Sequence, residues 1–166
     1  MSYTEDLGKK AKAAELAVSS ASTQLKNNAL AAISKALREN AQLIIAENEK
    51  DLKAAKENGM SESKQDRLKL DEGRIEGMAQ GVDQLIAFTD PVGQITDGFT
   101  RPNGLRIIKS RVPLGIIGII YESRPNVTVD AAALCLKAGN VVILKGGKEA
   151  INSNLCLGAI MRKAIS

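Results

Sequence analysis

Two short apolar runs in the second half of the sequence are each followed directly by polar residues and glycine. After the run 115–120 come Tyr121, Glu122, Ser123, Arg124 and, beyond one proline, Asn126. After the run 141–144 come Lys145, Gly146, Gly147, Lys148 and Glu149. In open α/β sheets, ligands bind beyond the carboxyl ends of parallel strands. If both runs are neighbouring strands of one sheet, the two sets of side chains lie at the same edge and form a candidate site.

The residues after the second run suit an anionic ligand. Glycine at 146 and 147 allows the backbone to approach a ligand closely and to adopt positive φ. A helix expected to begin just after them would present free N–H groups to a phosphate. Lys145 and Lys148 add two full charges, so the pattern favours a phosphorylated ribose or a pyrophosphate. A plain glycine turn with surface lysines has the same local sequence. The fingerprint G-x-G-x-x-G is absent, which excludes the ordinary Rossmann phosphate loop.

The residues after the first run suit a substrate that carries negative charge. Arg124 has a planar guanidinium that matches a carboxylate or a phosphate. Ser123 or Asn126 could donate a hydrogen bond to a developing oxyanion. Glu122 is either an acid/base group or the ion-pair partner of Arg124. A polar strand-to-helix turn capped by Ser123 is equally compatible with the local sequence.

The composition excludes several kinds of chemistry. The sequence contains no histidine, so the usual acid/base group at neutral pH and the commonest metal ligand are both missing. Cys135 and Cys156 lie among apolar residues at helical spacing, without a CxxC motif, and we expect buried structural thiols. Neither a metal site nor a Ser-His-Asp triad is expected.

Charge and hydropathy place few further constraints on the partners. The net charge is +4 and the sequence pI is about 9.1, with basic and acidic residues interspersed along the chain. This mixture is typical of a solvated surface rather than a nucleic-acid interface, and the scarcity of aromatic residues argues against a stacking platform for single strands. No signal peptide or membrane-length apolar run is present, so we expect a cytoplasmic protein.

The first ninety residues predict a layer of helices. Apolar residues recur at helical spacing throughout, and capping residues are expected at Thr4, Thr23, Ser61 and Asp71. Asn40 predicts a break between two helices. Residues 1–90 are therefore expected to form a helical layer whose apolar stripes need a partner surface.

The remainder predicts a β-hairpin and then a βαβα unit, so that the fold class is α/β. Asn103-Gly104 between β-prone runs indicates a hairpin within 93–112, with strands near 95–101 and 105–112. It is either an oligomerisation element or a plain surface hairpin. In 113–166, the run 115–120 is expected to be a strand buried on both faces, joined by a helix over 127–137 to the strand 141–144. A last helix is expected from Glu149.

These segments resemble a known group of enzymes. Residues 113–120 and 138–145 are similar to the cofactor-domain signature of the aldehyde dehydrogenase superfamily. The variant Tyr-Glu-Ser-Arg-Pro-Asn-Val-Thr at 121–128, together with Leu-Lys-Gly-Gly-Lys-Glu-Ala at 144–150, resembles the narrower gamma-glutamyl phosphate reductase family. The stretch Asn48-x-x-Asp51-Leu52 fits this family too. The resemblance covers essentially the whole chain.

The resemblance implies a reaction of proline biosynthesis. It is the NADPH-dependent reduction of L-glutamate 5-phosphate to L-glutamate 5-semialdehyde with release of phosphate, through attack by a cysteine thiolate and hydride transfer. It further implies a homo-oligomer with glutamate 5-kinase as a candidate partner. The implied substrate-side residues are Glu122, Ser123, Arg124 and Asn126. The implied cofactor-side residues are Tyr121, Lys145, Gly146, Gly147, Lys148 and Glu149.

Two departures from the family pattern affect these expectations. Most of the superfamily has Asn-Phe-Pro where this chain has Ser123-Arg124-Pro125, so the oxyanion donor must differ. Family members are also much longer, and their catalytic cysteine belongs to a later domain that neither Cys135 nor Cys156 matches. The chain therefore looks like an N-terminal fragment, a partial NADP-binding domain that is inactive and marginally stable or associating on its own. The alternative is a stand-alone nucleotide- or phosphate-binding module, or an assembly module, without catalysis.

Overall fold

The computed structural model describes residues 2–166, and its architecture is α/β as expected. The α-helices of this region are α1 (Tyr3–Ser19), α2 (Thr23–Glu39), α3 (Ala41–Glu57), α4 (Glu62–Leu68), α5 (Glu72–Ala87), α6 (Asn126–Lys137) and α7 (Ile151–Ala164). The strands are β1 (Ile95–Thr100), β2 (Arg106–Ser110), β3 (Ile116–Ile120) and β4 (Val141–Lys145). A short 3₁₀ turn, Lys148–Ala150, precedes α7.

Helices α2, α3 and α5 share an aliphatic core with α6 and α7, and a smaller second cluster joins α3 to α4 through Ala55 and Leu68. The apolar stripe of α2 packs on α5, and both helices contact α6. Leu30, Leu37 and Leu157 are fully buried in this core, and Ile75 and Val82 lie beside them. Burial of each such side chain contributes about 1.5–3 kcal/mol, so this core is a main source of the stability that joins α2 and α5 to α6 and α7.

The starts of the first two helices differ from the sequence prediction by one or two residues. Ser2, not Thr4, caps α1 through a capping box in which the Glu5 amide donates to Ser2 Oγ and the Ser2 amide donates to Glu5. Ser22, not Thr23, caps α2. In both cases the serine has an extended backbone, which points its hydroxyl at the third amide of the helix. The predicted cap Asp71 is confirmed, since its carboxylate accepts from the Arg74 amide at 2.9 Å.

A buried ion pair closes the helical half at the end of α5. Lys26 is 2% exposed, and its Nζ lies 2.7 Å from Asp90 Oδ2. Burial disfavours ionisation of Asp90, but hydrogen bonds from Lys26, the Thr23 hydroxyl and the Val92 amide outweigh this effect and lower its pKa. The carboxylate therefore stays ionised well into the acid range and anchors the chain as it leaves α5.

The predicted hairpin is confirmed. β1 and β2 pair in antiparallel register with Thr100 opposite Arg106, and the chain turns at Gly104, which has a φ of 84°. The φ value is in the left-handed region that glycine adopts without strain. The hairpin exposes several large apolar side chains, namely Ile95, Phe99, Leu105 and Ile108.

The other two strands form a separate parallel pair, and here the sequence prediction was partly wrong. β3 and β4 are joined through α6, as expected, with Ile116 opposite Val141 and Ile120 opposite Lys145. The expectation that β3 is buried on both faces is incorrect, because Ile120 is 79% exposed and Ile116 is 37% exposed. Alternate residues of a strand face opposite sides. Within residues 2–166, this sheet has only two strands, and one side of β3 is left uncovered.

None of the described helices combines the length and the apolar character needed to cross a membrane.

Candidate functional site

The two predicted sets of polar residues do lie at one edge of the β3–β4 sheet. Because the strands are parallel and Ile120 pairs with Lys145, both strands end at the same level. The Tyr121 amide then donates to the Lys145 carbonyl at 3.1 Å, which extends the pairing into the first residue of the loop after β3. This juxtaposition is the arrangement in which open α/β sheets bind ligands.

The loop after β4 presents two cations but a different backbone from the one expected. Lys145 and Lys148 are exposed, and neither makes an ion pair with another residue of the described chain. The expected positive φ at the glycines is wrong: Gly147 has a φ of −64°, and Gly146 is not in the left-handed region. A Cβ at Gly146 would overlap Nδ2 of Asn154 and lie 3.1 Å from the Tyr121 ring. Glycine is required at 146 by internal packing.

The amide groups at the start of α7 are not free for a phosphate, contrary to the sequence prediction. The Asp51 carboxylate, which comes from α3 and is 2% exposed, accepts from the Asn152 amide at 3.1 Å and from the Ser153 amide at 2.8 Å. The same carboxylate accepts from the Asn152 side chain at 2.8 Å and from Ser153 Oγ at 2.6 Å. An internal anion therefore occupies the position that a ligand phosphate would need.

Asp51 is part of a buried polar cluster that was not predicted from the sequence. Asn48, also fully buried, donates to Ser153 Oγ at 3.0 Å and to the Leu68 carbonyl at 2.8 Å, and it accepts from the Leu70 amide. A signal was present in the spacing. Ile44, Asn48, Asp51 and Ala55 recur on one helical face, and all four are buried. Two polar residues on an apolar stripe indicate buried hydrogen-bonding partners elsewhere in the fold.

A second hydrogen-bond chain joins the loop after β3 to α6 and α7. The Tyr121 hydroxyl lies 2.6 Å from Thr128 Oγ1, and Thr128 Oγ1 donates to Asn154 Oδ1 at 2.8 Å. Burial raises the pKa of Tyr121, while the Thr128 hydrogen bond opposes this shift. The tyrosine hydroxyl therefore stays protonated and is engaged within the protein. The network links the residue after β3 with α6 and α7, and so helps to position the loop after β3.

The loop after β3 leaves its polar side chains largely unpaired. The side chains of Glu122 and Arg124 form no ion pair in the described region; the Arg124 amide instead donates to the Glu122 carbonyl. Helix α6 has Pro125 as its N-cap and lacks a side-chain cap, so the alternative interpretation, a turn capped by Ser123, is not found. Asn126 Nδ2 donates to Asp130 at 3.0 Å. The Arg124 guanidinium and the Ser123 hydroxyl thus have no partner among residues 2–166.

Arg124 and Asn126 line a cavity of about 390 Å³ between this loop and the helical half. Its opposite wall is built by the end of α4, the α4–α5 connection and α5, through Arg67, Lys69 and Arg74 respectively. The volume lies in the range of small-molecule sites. The charge of the lining is predominantly positive, which suits an anionic ligand. This wall was not predictable from local sequence patterns, because its residues lie far from Arg124 along the chain.

The cysteines are structural, as expected, although they are not equally buried. Cys135 is buried in α6, and Cys156 is partly buried in α7. Burial raises the pKa of both thiols, and the negative charge of Glu47 raises that of Cys156 further. Both are therefore protonated at neutral pH, and neither lies in the loops after β3 and β4.

Comparison with known proteins first defines the class of fold. A probable aldehyde dehydrogenase from Listeria monocytogenes superposes with a TM-score of 0.72 over 97% of this chain and 33% of its own length, at 15% identity. The helical layer, hairpin and βαβα unit are thus those of the aldehyde dehydrogenase fold. No protein-family model matches the chain.

Closer relatives then define the family. The structure of gamma-glutamyl phosphate reductase from Thermotoga maritima is 43% identical and superposes with a TM-score of 0.91 over 95% of this chain. Gamma-glutamyl phosphate reductase from Clostridium perfringens is 56% identical over 158 residues, which are 95% of this chain. The chain belongs to the gamma-glutamyl phosphate reductase family. It spans only about 38% of the length of these relatives.

Proposed function

We propose that the chain forms part of an NADPH-dependent reductase that converts L-glutamate 5-phosphate to L-glutamate 5-semialdehyde and releases phosphate. The observation that carries this proposal is the juxtaposition of two polar loops, each with at least one cation that lacks an ion-pair partner in the described chain, at one edge of the β3–β4 sheet. One loop ends in a pair of unpaired lysines, and the other leads into a positively charged cavity. A phosphorylated cofactor and a phosphorylated substrate need two such neighbouring anion sites.

The cofactor side of the proposal depends on Lys145 and Lys148. NADPH, when bound, supplies the hydride for the reduction. Since Asp51 occupies the amides of α7, the start of that helix offers no phosphate site, and the attraction has to come from the two ammonium groups. Both are exposed and lack an ion-pair partner in the described chain. Their charge suits the additional phosphate that distinguishes NADPH from NADH.

The substrate side of the proposal assigns different roles to Ser123 and Arg124. Arg124 is an unpaired guanidinium beside the cavity and is suited to the phosphoryl group of the acyl phosphate. Asn126 already donates to Asp130, whereas the Ser123 hydroxyl has no partner among the described residues. We therefore assign the oxyanion hydrogen bond to Ser123 and a supporting role to Asn126. Glu122, exposed and unpaired, is the remaining candidate for proton transfer.

The nucleophile of the proposed reaction is not one of the two cysteines described above. A thiolate must attack the acyl carbon and displace phosphate, and the resulting thioester must accept a hydride to give the aldehyde and the free thiolate. Cys135 and Cys156 are protonated and lie within helices. The relatives are much longer than this chain, and we infer that the nucleophile belongs to the remaining part of the full-length protein.

The proposal is tested with the full-length protein that carries this chain. Oxidation of L-glutamate 5-semialdehyde should require both NADP⁺ and phosphate, and NADPH absorbance measures its rate. The replacement Arg124→Gln should lower kcat/KM about 10- to 150-fold, which is the change expected from the loss of one hydrogen bond to a charged group. Lys53→Gln, which removes an exposed cation on α3, is the control and should have no effect. Activity without phosphate dependence would refute the proposed reaction.

We also propose that the hairpin mediates homo-oligomer formation. Phe99 and Ile108 are 49% and 55% exposed, and large exposed apolar side chains on a regular hairpin are typical of an interface. Light scattering should show a lower mass for the full-length Ile108→Lys variant. An unchanged mass would leave the hairpin as a plain surface element.

A further inference from the structure

The charges that line the cavity fall into a paired set and an unpaired set. Asp66 and Arg74 belong to the paired set, since Arg74 Nη2 donates to Asp66 Oδ1 at 2.8 Å. Arg74 also donates to the Lys69 carbonyl at 2.9 Å and to the Asp66 carbonyl. It therefore holds the α4–α5 connection in place as a wall of the cavity and contributes no free charge to a ligand.

The unpaired set consists of two cations and one anion. Arg67 and Arg124 form neither an ion pair nor a side-chain hydrogen bond with any described residue, and they lie on opposite walls. Asp130, in α6, receives only the amide of Asn126 and has no cationic partner in the described region. Partial removal of water around Asp130 raises its pKa, and the Asn126 hydrogen bond offsets this in part. Lys69 is weakly engaged, with its Nζ at 3.6 Å from Asp71.

A ligand that matches this set carries two negative groups and one positive group. We propose that the cavity recognises the α-amino-acid end of the substrate, with Arg67 binding the α-carboxylate and Asp130 binding the α-ammonium group. Arg124 then faces the phosphoryl group at the other end. This inference rests on the proposed function and adds residues that select for an amino acid over a simple aldehyde or acyl phosphate. The end of α4 thereby becomes part of the substrate site.

Two aldehydes separate the roles of the two residues in the full-length protein. L-glutamate 5-semialdehyde carries both α groups, whereas 5-oxopentanoate has the same chain length and carboxylate but lacks the ammonium group. Asp130→Asn should lower kcat/KM about 10-fold or more for the semialdehyde and leave that for 5-oxopentanoate nearly unchanged. Arg67→Gln should lower kcat/KM about 10- to 150-fold for both compounds, because both carry the carboxylate.

The controls are the charge-matched replacements Glu57→Gln and Lys53→Gln on the exposed face of α3, away from the cavity and the hairpin, which should alter neither rate. Circular dichroism of each variant establishes that its fold is retained; Arg67 and Asp130 are both exposed, so unfolding is not expected. Equal losses for the two aldehydes in Asp130→Asn, unchanged rates in Arg67→Gln, or a wild type that does not prefer the amino acid would each overturn the inference. A wild type that fails to oxidise the semialdehyde with NADP⁺ and phosphate instead refutes the proposed function.

Discussion

Replacement of Asp51 by asparagine tests the buried carboxylate at the start of α7. Each oxygen of Asp51 accepts two hydrogen bonds, Oδ1 from Asn152 and Oδ2 from Ser153. An asparagine keeps one acceptor oxygen and turns an amide group toward the other pair of donors, which then lose their acceptor. Ser153 Oγ already accepts from Asn48 and offers little relief. A buried unsatisfied donor costs about 1–3 kcal/mol. The free energy of unfolding should therefore fall by about 2–4 kcal/mol.

Urea unfolding followed by circular dichroism measures this change. The corresponding fall in Tm is roughly 5–15 °C for a chain of this size. Glu49→Gln is the matched control, since it makes the same carboxylate-to-amide change on an exposed face of the same helix. Its effect should stay within about 0.5 kcal/mol. If Asp51→Asn is no more destabilising than Glu49→Gln, the carboxylate does not hold α7, and the amides of that helix are again available to a ligand.

Three further predictions concern stability and use the same urea measurement. Lys26→Met should lower the free energy of unfolding by about 3 kcal/mol at neutral pH, because the nearly buried Asp90 carboxylate then lacks its cationic partner. The pKa of Asp90 is lower in the folded protein than in the unfolded chain. The ion pair therefore stabilises the fold fully at pH values above the pKa of Asp90 in the unfolded chain. This contribution is lost as the pH falls through the pKa of Asp90 in the folded protein. The difference in the free energy of unfolding between Lys26→Met and the wild type should therefore decrease in strong acid. A difference that stays constant with pH would contradict this reasoning. Gly139→Ala should cost about 1–2 kcal/mol, since Gly139 has a φ of 72° and a Cβ there would lie 3.0 Å from Pro113. Gly158 lies inside α7 with open space around it, and Gly158→Ala should instead raise the free energy of unfolding by about 0.5–1 kcal/mol. If both glycine replacements change the free energy of unfolding in the same direction, the argument is refuted.

The order of elements was predictable because it depends on local patterns. Helical spacing of apolar residues gave the helical layer, and Asn103-Gly104 gave the hairpin, since these signals act over a few residues. The apolar runs gave β3 and β4 for the same reason. The expectation that both runs are parallel strands of one sheet then predicted that the two loops are neighbours, and the register of Ile120 with Lys145 confirmed that they meet.

The exposure of β3 was not predictable from its composition. A run such as 116–120 indicates a strand buried on both faces, but burial also requires other elements to cover it. In the described chain, the sheet has two strands, and Ile120 remains 79% exposed. The composition of a strand indicates whether it is suited to burial. Its actual burial depends on which other elements pack over its two faces.

What the sequence by itself determined is the fold class, the positions of the helices and strands, and the two loops that carry the candidate chemistry. Only the tertiary structure decided that Asp51 occupies the amides of α7, that Gly146 is required by Asn154, and that Arg67 faces the cavity of Arg124. Each of these relations joins residues far apart in the chain, except for the eight-residue separation at Gly146. The physical reason is that hydrogen bonding and charge pairing depend on distance in space. Sequence spacing reveals such distances only within a helix, a strand or a turn.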